Sequence, residues 1–402
     1  MNLTQRYLSS FRGLSREVWT LSIVGLVNRM GMMVLPYLLL YLTGEMGYSP
    51  SAAGLVLGAF GLGSLAGIYL GGSLSDRFGY RRVQLGSLIS SGILLMAMGQ
   101  FPSGPGLVLT IFFFGLTSDA YRPANMAAIA HHSSEEERSR AFGLYRLAIN
   151  LGWSIGPAIG GFLALVDYEI LFWIDGLTTL VAAFYLWKQL PNTTSSAVSA
   201  PAPELPPELL DAKPSGSPWR DAPFLAALFL LWLQSLAFFQ LSSTLPLYLT
   251  EVRGLATNVI GCLMLINTLM IVFLELPLIA RVDRFSKLHV VALSSLFMAM
   301  GFGFLPWAPT LLLIGLAMVL WTIGEMLGMP MMSTWVSGRA RGSYQGRYMA
   351  AFGMTFSVGQ ITAPLLGTWT YEHLGPDWTW HATLVLGAVS CFGFLLLGRR
   401  GH

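Results

Sequence analysis

The sequence predicts an all-α integral membrane protein: twelve transmembrane helices in two parallel-repeat six-helix bundles, both termini cytoplasmic. Three observations predict it. Of 402 residues, 54% are hydrophobic and 11% charged, whereas a soluble chain carries about a quarter charged residues. Apolar runs near twenty residues recur from Val18 to Leu397, and one such run crosses a hydrocarbon core of roughly 30 Å. The second half also repeats landmarks of the first at a constant offset.

Lipid offers the backbone no hydrogen-bond partner, so each run must satisfy itself as a helix. A membrane barrel would show alternating segments of about ten residues, and none is visible. The predicted spans are 17–42, 51–73, 83–101, 105–131, 139–166, 169–190, 221–249, 257–281, 288–306, 309–336, 343–371 and 378–398. Residues 191–220, with Pro201, Pro203, Pro206, Pro207, Pro214 and Pro218 among Ser and Ala, cannot bury a core and read as a solvated linker. The expected domains are therefore 1–190, a cytoplasmic linker 191–220, and 221–402. The polar first twenty residues, with Arg6, Arg12 and Arg16, precede a run long enough to span, so no cleavable leader is expected. Cys262 and Cys391 lie inside apolar runs and read as small packing residues.

Lys and Arg set the orientation. Nineteen of the 23 fall at the N-terminus, in the even-numbered connections or at the C-terminal Arg399 and Arg400. Of the rest, Arg253 alone sits in a connection on the opposite side. The excess of basic residues on cytoplasmic loops places both termini and the linker in the cytoplasm.

At an offset of 207, Tyr41-Leu42-Thr43 returns as Tyr248-Leu249-Thr250 and Asp76-Arg77-Phe78 as Asp283-Arg284-Phe285. Pro123, Arg140 and Pro157 map likewise onto Pro330, Arg347 and Pro364. Repeats of six spans that start on the same side are parallel, related by an axis along the membrane normal, with a shared path expected where they meet.

The connection after the second span reads Gly72-Ser73-Leu74-Ser75-Asp76-Arg77-Phe78-Gly79-Tyr80-Arg81-Arg82. Gly72 permits close helix contact, Gly79 a tight turn, and Asp76 can cap or pair at neighbouring helix ends. In this loop the chain resembles the major facilitator superfamily, whose pattern there is G-x-L-x-D-R-x-G-R/K-R/K. Tyr80 stands where a basic residue is usual. The resemblance implies a gating role for Gly72, Asp76, Arg77, Gly79 and Arg81. The fifth span carries Gly152, Gly156, Pro157, Gly160 and Gly161, small residues that let helices pack closely. This set is similar to the helix-five motif of the superfamily's drug–proton antiporters, and it implies export.

Seven ionisable residues lie inside spans: Arg29, Asp119, Arg122, Arg146, Asp175, Glu275 and Glu325. Each costs about 3 kcal/mol at a helix centre on insertion scales, so they must pair or face a wet cavity. Arg29, beside Asn28, suits an anionic substrate group or a neighbouring acid. Asp119 and Arg122, three apart, read either as a static pair or as a pair that breaks on protonation. The Arg122-Pro123-Ala124-Asn125 stretch departs from the superfamily's helix-four R-x-x-Q-G. Arg146, Asn150 and Trp153 follow helical spacing and are expected to line a cavity, with Trp321 a further cavity candidate. Asp175 sits nearer the outer side and reads as structural. Buried carboxylates exchange protons near neutral pH, which makes Glu325, Asp119 and Glu275 the proton-coupling candidates. Glu325 also resembles the helix-ten acid of several drug antiporters and of proton-coupled peptide transporters.

No phosphate-binding loop, nucleophile–base set or metal-ligand spacing is present in the sequence. The expectation is thus a monomeric, non-enzymatic secondary transporter of a bacterial cytoplasmic (inner) membrane. It needs no cofactor and no metal, uses the proton gradient as its energy source, and has small molecules, protons and the lipid bilayer as partners, with no nucleic acid. It exports amphipathic organic compounds by alternating access. The competing expectation is proton-coupled uptake of a small zwitterion such as a short peptide. Peptide symporters carry E-x-x-E-R-F in helix one, however, and Val24-Gly25-Leu26-Val27-Asn28-Arg29 lacks both acids.

Overall fold

The computed structural model describes residues 11, 13–101, 103–190, 217–339 and 345–400. Most of the predicted linker, with Arg6, Arg12, Lys213 and Arg341, lies outside the described residues. The first half holds α1 (Arg16–Met30), α2 (Leu35–Leu40, continued by a π turn Tyr41–Glu45), α3 (Pro50–Phe78), α4 (Tyr80–Met98), α5 (Pro105–His131), α6 (Glu135–Val166) and α7 (Tyr168–Gln189). The second holds α8 (Ala222–Phe238), α9 (Thr244–Glu251), α10 (Thr257–Val282), α11 (Lys287–Gly303), α12 (Leu311–Arg339), α13 (Gln345–His373) and α14 (Pro376–Arg400). Each of the twelve predicted stretches contains helix, and the described residues form no strand. Nine of the described helical stretches are long and apolar enough to cross a bilayer, so the chain is a multi-pass membrane protein.

Local chemistry sets the helix ends. Ser15 caps α1 by accepting from the Val18 N–H at 3.3 Å, and Asp167 separates α6 from α7 by accepting from the Glu169 N–H at 2.6 Å. Gly79 adopts φ +85°, a left-handed conformation open to glycine, and there the chain turns from α3 into α4.

The predicted continuous first span is interrupted at Gly31–Val34, between α1 and α2. A proline lacks an N–H and fits most readily in a helix's first turn, and Pro36 occupies that turn of α2. The interruption repeats in the second half, where α8 passes through a 3-10 turn, Phe239–Ser242, into α9 with Pro246 in its first turn. Shifted by 207, the first break falls on this second one, so the repeat extends to the helix breaks.

Contacts divide the chain into two compact units. One comprises Met1–Tyr37, Ala59–Ala202 and Thr257–Thr268; the other comprises Leu38–Gly58, Pro203–Ala256 and Leu269–His402. In the first unit, Val18, Leu21, Leu88, Tyr121, Tyr145 and Leu186 anchor the core. Gly63, Gly67 and Gly71 of α3 lie against the backbone of α5 at Phe112, Leu116 and Ala120, a four-residue register that any side chain would break. Association in lipid gains little from apolar burial, so such close backbone approach is what holds the helices. In the second unit, Phe224, Val291, Met332, Tyr348 and Phe394 form the core. Large apolar side chains such as Tyr69, Phe273 and Leu312 point outward, as lipid-facing positions require.

Candidate functional site

In the first unit the ionisable residues gather around α1. Arg29 is buried, its Nη1 2.6 Å from the Met32 sulfur and its guanidinium 5.8 Å from the centre of the Trp153 ring. It lies within electrostatic reach of Asp119, Arg122, Tyr121 and Tyr145. Arg29 and Trp153, two of the predicted cavity residues, are thus brought together. Asn150 is half-buried, and Arg146, one turn away on the same face of α6, is exposed.

Asp119 and Arg122 are not an internal pair. Asp119 is buried and accepts a hydrogen bond from the Ser64 hydroxyl of α3, while Arg122 is exposed. Residues three apart differ by about 60° around a helix of 3.6 residues per turn, enough here to send them to different surroundings. Ser64 carried no sequence signal beyond being a hydroxyl in an apolar span. Six residues further along α5, Asn125 accepts from Gln84 at 2.8 Å and from Tyr121 at 3.0 Å in a buried polar contact.

The glycines of α6 place that helix directly against α1 and the break. A Cβ on Gly152 would lie 2.8 Å from the Leu26 carbonyl oxygen, and one on Gly156 2.8 Å from that of Met30. Gly160 faces Met33 and Tyr37, and Gly161 faces the Thr257 carbonyl. Pro157 leaves its own carbonyl to accept the Tyr37 hydroxyl at 2.7 Å.

Asp175 of α7 is fully buried at the interruption of the first span. Its Oδ2 accepts the Val34 N–H at 3.0 Å, a backbone donor that the interrupted helix leaves without an intrahelical partner. Its Oδ1 faces Gly31, with no hydrogen-bond partner among the described residues. The sequence marks Asp175 as a structural acid, but the break that it tends carries no sequence signal.

In the second unit, Glu325 of α12 borders a small cavity of about 20 Å³ walled by Leu231, Gln234, Phe238, Met298 and Phe356, among others. Glu275 of α10 is buried. Trp321 is also buried, stacked on Phe302 at 5.2 Å, and does not border that cavity. Gln234 escaped the sequence reading, although a lone amide inside an apolar span is itself a signal of a buried polar contact.

At the basic loop, Asp76 and Arg77 are exposed, and among the described residues Asp76 has no hydrogen-bond or ion-pair partner. Helix-end capping falls instead to Arg81, whose Nε donates to the Leu190 carbonyl and whose Nη2 donates to that of Trp187, each at 2.8 Å. Nothing stands within 4 Å of a Cβ built on Gly72. Tyr80, where a basic residue is usual, meets His132 Nε2 at 2.9 Å. A larger groove of about 380 Å³ opens beside Arg82, between α3, α4 and α5, and touches none of the predicted cavity residues. Among the described residues no cluster of His, Cys, Asp and Glu has the makings of a metal site.

A sequence model of the Major Facilitator Superfamily matches residues 21–354 and again 259–402. The chain is 26% identical over 396 residues to a Na(+), Li(+), K(+)/H(+) antiporter of Planococcus maritimus, covering 91% of each. It is 24% identical over 387 residues to the multidrug resistance protein MdtH of Aeromonas hydrophila subsp. hydrophila, covering 96% of this chain and 95% of the relative. Among solved structures, a peptide transporter POT in complex with sulfate superposes with a TM-score of 0.77 at 15% identity, covering 99% of this chain and 97% of that one.

Proposed function

Because this chain belongs to the Major Facilitator Superfamily, we propose that it is a proton-coupled exporter of amphipathic organic compounds working by alternating access. Members of this family are transporters, not enzymes. Two relatives that span nearly the whole chain support the reading, one named for multidrug resistance and one for cation–proton antiport. The observation that carries it is a carboxylic acid, Glu325, on the wall of a cavity whose other sides are largely aromatic and thioether. The cavity is too small for the substrate itself, but an acid held inside an apolar span is costly and marks a proton or ion path rather than a packing position.

In this reading Glu325 is the principal proton carrier, with Asp119 and Glu275 as further carriers. Arg29 and Trp153, joined by Asn150, Arg146 and Arg122, form the substrate-contacting set of the first unit, and Trp321 is a separate substrate candidate of the second. The tight α6–α1 interface keeps the first half rigid as the transporter cycles, and the loop of Gly72, Asp76, Arg77, Gly79 and Arg81 gates it. The chain crosses a bacterial inner membrane twelve times as a monomer, with two six-helix domains, 1–190 and 221–402, a cytoplasmic linker and cytoplasmic termini. The peptide-transporter likeness, at 15% identity, speaks to fold alone, so uptake gains no support from it.

The test is transport of an amphipathic dye in proteoliposomes under an imposed pH gradient. Glu325→Gln is expected to abolish gradient-driven movement while leaving dye binding intact; full pH-driven transport by the variant overturns the assignment.

A further inference from the structure

Beside Glu325, the cavity wall holds one polar group whose bonding is incomplete. Gln234 of α8 is 6% exposed, and its Nε2 donates to Ser294 Oγ at 2.9 Å and to the Met298 sulfur at 3.1 Å. Its Oε1 is buried with no hydrogen-bond partner among the described residues. The amide is not simply turned the wrong way round. Ser294 commits its only hydrogen to the Gly324 carbonyl at 2.7 Å, so towards Gln234 it can only accept. The amide nitrogen must therefore face Ser294, and the oxygen must face away.

No neighbouring hydroxyl among the described residues completes the set. Ser235, on the same wall, donates to the Trp232 carbonyl at 2.7 Å. A buried acceptor without a donor is rare in folded proteins and calls for one. The cavity bordered by Gln234 and Glu325 measures about 20 Å³, and a single water needs roughly 10–15 Å³ of such space together with polar neighbours. The room exists because position 328 is glycine: a Cβ there would lie 3.2 Å from Gln234 Nε2 and would collide with Ser294 Oγ. The rest of the wall, drawn from α8, α11, α12 and α13, brings no second titratable group among the described residues.

We propose that this cavity is a binding site for one water linking Gln234 Oε1 to the Glu325 carboxyl, and that Gln234 is a positioning residue for proton exchange at Glu325. With the carboxylate ionised, the water donates one hydrogen to Gln234 Oε1 and the other to Glu325. When a proton adds to the carboxylate, the new O–H donates to the water oxygen, while the water keeps its bond to Oε1. Ser294 and Gly324 hold the amide in register, and Gly324 is the residue directly before Glu325 in the chain. The proposal rests on Glu325 being a proton site.

The experiment is an infrared pH titration of the purified full-length protein, with the Glu325 carboxyl band assigned by its loss in Glu325→Gln. Gln234→Leu, similar in size but without an acceptor, is expected to move the titration midpoint by about half a pH unit or more, a threefold or greater change in proton affinity. It is also expected to remove a water O–H stretch that shifts in heavy-oxygen water. Ser294→Ala, which frees the amide without altering the cavity wall, is expected to shift the midpoint in the same direction by less, and it serves if Gln234→Leu fails to fold. An unchanged midpoint with the water band retained overturns the water site and leaves Glu325 a proton site. Absence of any titrating band lost in Glu325→Gln overturns the proton-site reading itself.

Discussion

The helices α6 and α13 occupy the same place in the two repeats and meet their neighbours by different means. In α6, Gly152, Gly156, Gly160 and Gly161 bring the helix onto α1, the break and the Thr257 carbonyl, largely backbone against backbone. The positions 207 residues on are Gly359, Ala363, Gly367 and Thr368. There the remaining glycines face side chains: Gly359 meets Ser235, and Gly367 meets Gln240 and Thr244. A backbone contact admits one geometry, whereas hydroxyl and amide side chains re-form their bonds after a small shift. The first half is therefore the more rigid of the two at this interface.

Alanine at these glycines gives the largest expected effect and the sharpest test. A Cβ at Gly156 has the Met30 carbonyl carbon and oxygen in its way, so Gly156→Ala must push α6 off α1, at about 1–3 kcal/mol, the usual penalty for overpacking. Gly359→Ala meets the Ser235 side chain, and Ser235→Gly should restore most of the loss. No comparable trimming rescues Gly156→Ala, because the obstacle is main chain. Unfolding in detergent measures both; rescue in both halves, or in neither, breaks the distinction.

The interruptions of α1–α2 and α8–α9 differ in a second way. The first is served by a carboxylate from another helix, Asp175, which accepts the Val34 N–H. The second is served from within by Gln240, whose Nε2 donates to the Leu236 and Ala363 carbonyls and whose Oε1 accepts from Ser243 and Thr244. Asp175→Leu leaves the Val34 N–H buried without an acceptor and is expected to destabilise by about 1–3 kcal/mol, whereas Asp175→Asn keeps an acceptor and loses less. Gln240→Leu leaves the buried Thr244 hydroxyl without its acceptor, while Ser243 retains its bond to the Phe239 carbonyl at 3.0 Å, and is expected to cost about 1 kcal/mol. Equal losses at the two positions would show that the charged and neutral solutions are interchangeable.

These contrasts mark where the sequence was legible. Apolar runs and the 207-residue offset located the helical stretches, and Gly152, Gly156, Gly160 and Gly161 announced a close helix contact. The interruption was not readable, because Gly31-Met32-Met33-Val34 is an apolar string whose broken geometry depends on Asp175, some 140 residues away. Nor was the separation of Asp119 from Arg122. In a span apolar on every side, periodicity does not fix which way a helix is turned. Gln234 and Ser64 stayed hidden because each acts through a partner on another helix.

The smallest expected effect comes from the C-terminal ends of α5 and α12. His132, at the end of α5, bonds Tyr80; its counterpart 207 residues on is Arg339, which grips Asp221 with Nε at 2.6 Å and Nη2 at 2.7 Å. Burial holds the His132 imidazole below its usual range, the neighbouring His131 adds to this, and Glu17 opposes it. With a folded value below the unfolded one, the unfolded chain takes up the proton first. The contribution of His132 is therefore complete above the ordinary histidine value of about 6.5 and declines as pH falls from there towards the folded value. Arg339 keeps its charge throughout, so its grip does not change across that interval. His132→Gln, which keeps a bonding group but no proton to gain, is expected to flatten the stability profile between about pH 7.5 and pH 5.5. Arg339→Gln is expected to lower stability equally at both ends. Because the imidazole is only half-buried, the histidine effect should stay under about 1 kcal/mol. An unaltered slope in His132→Gln would move the pH response to another group.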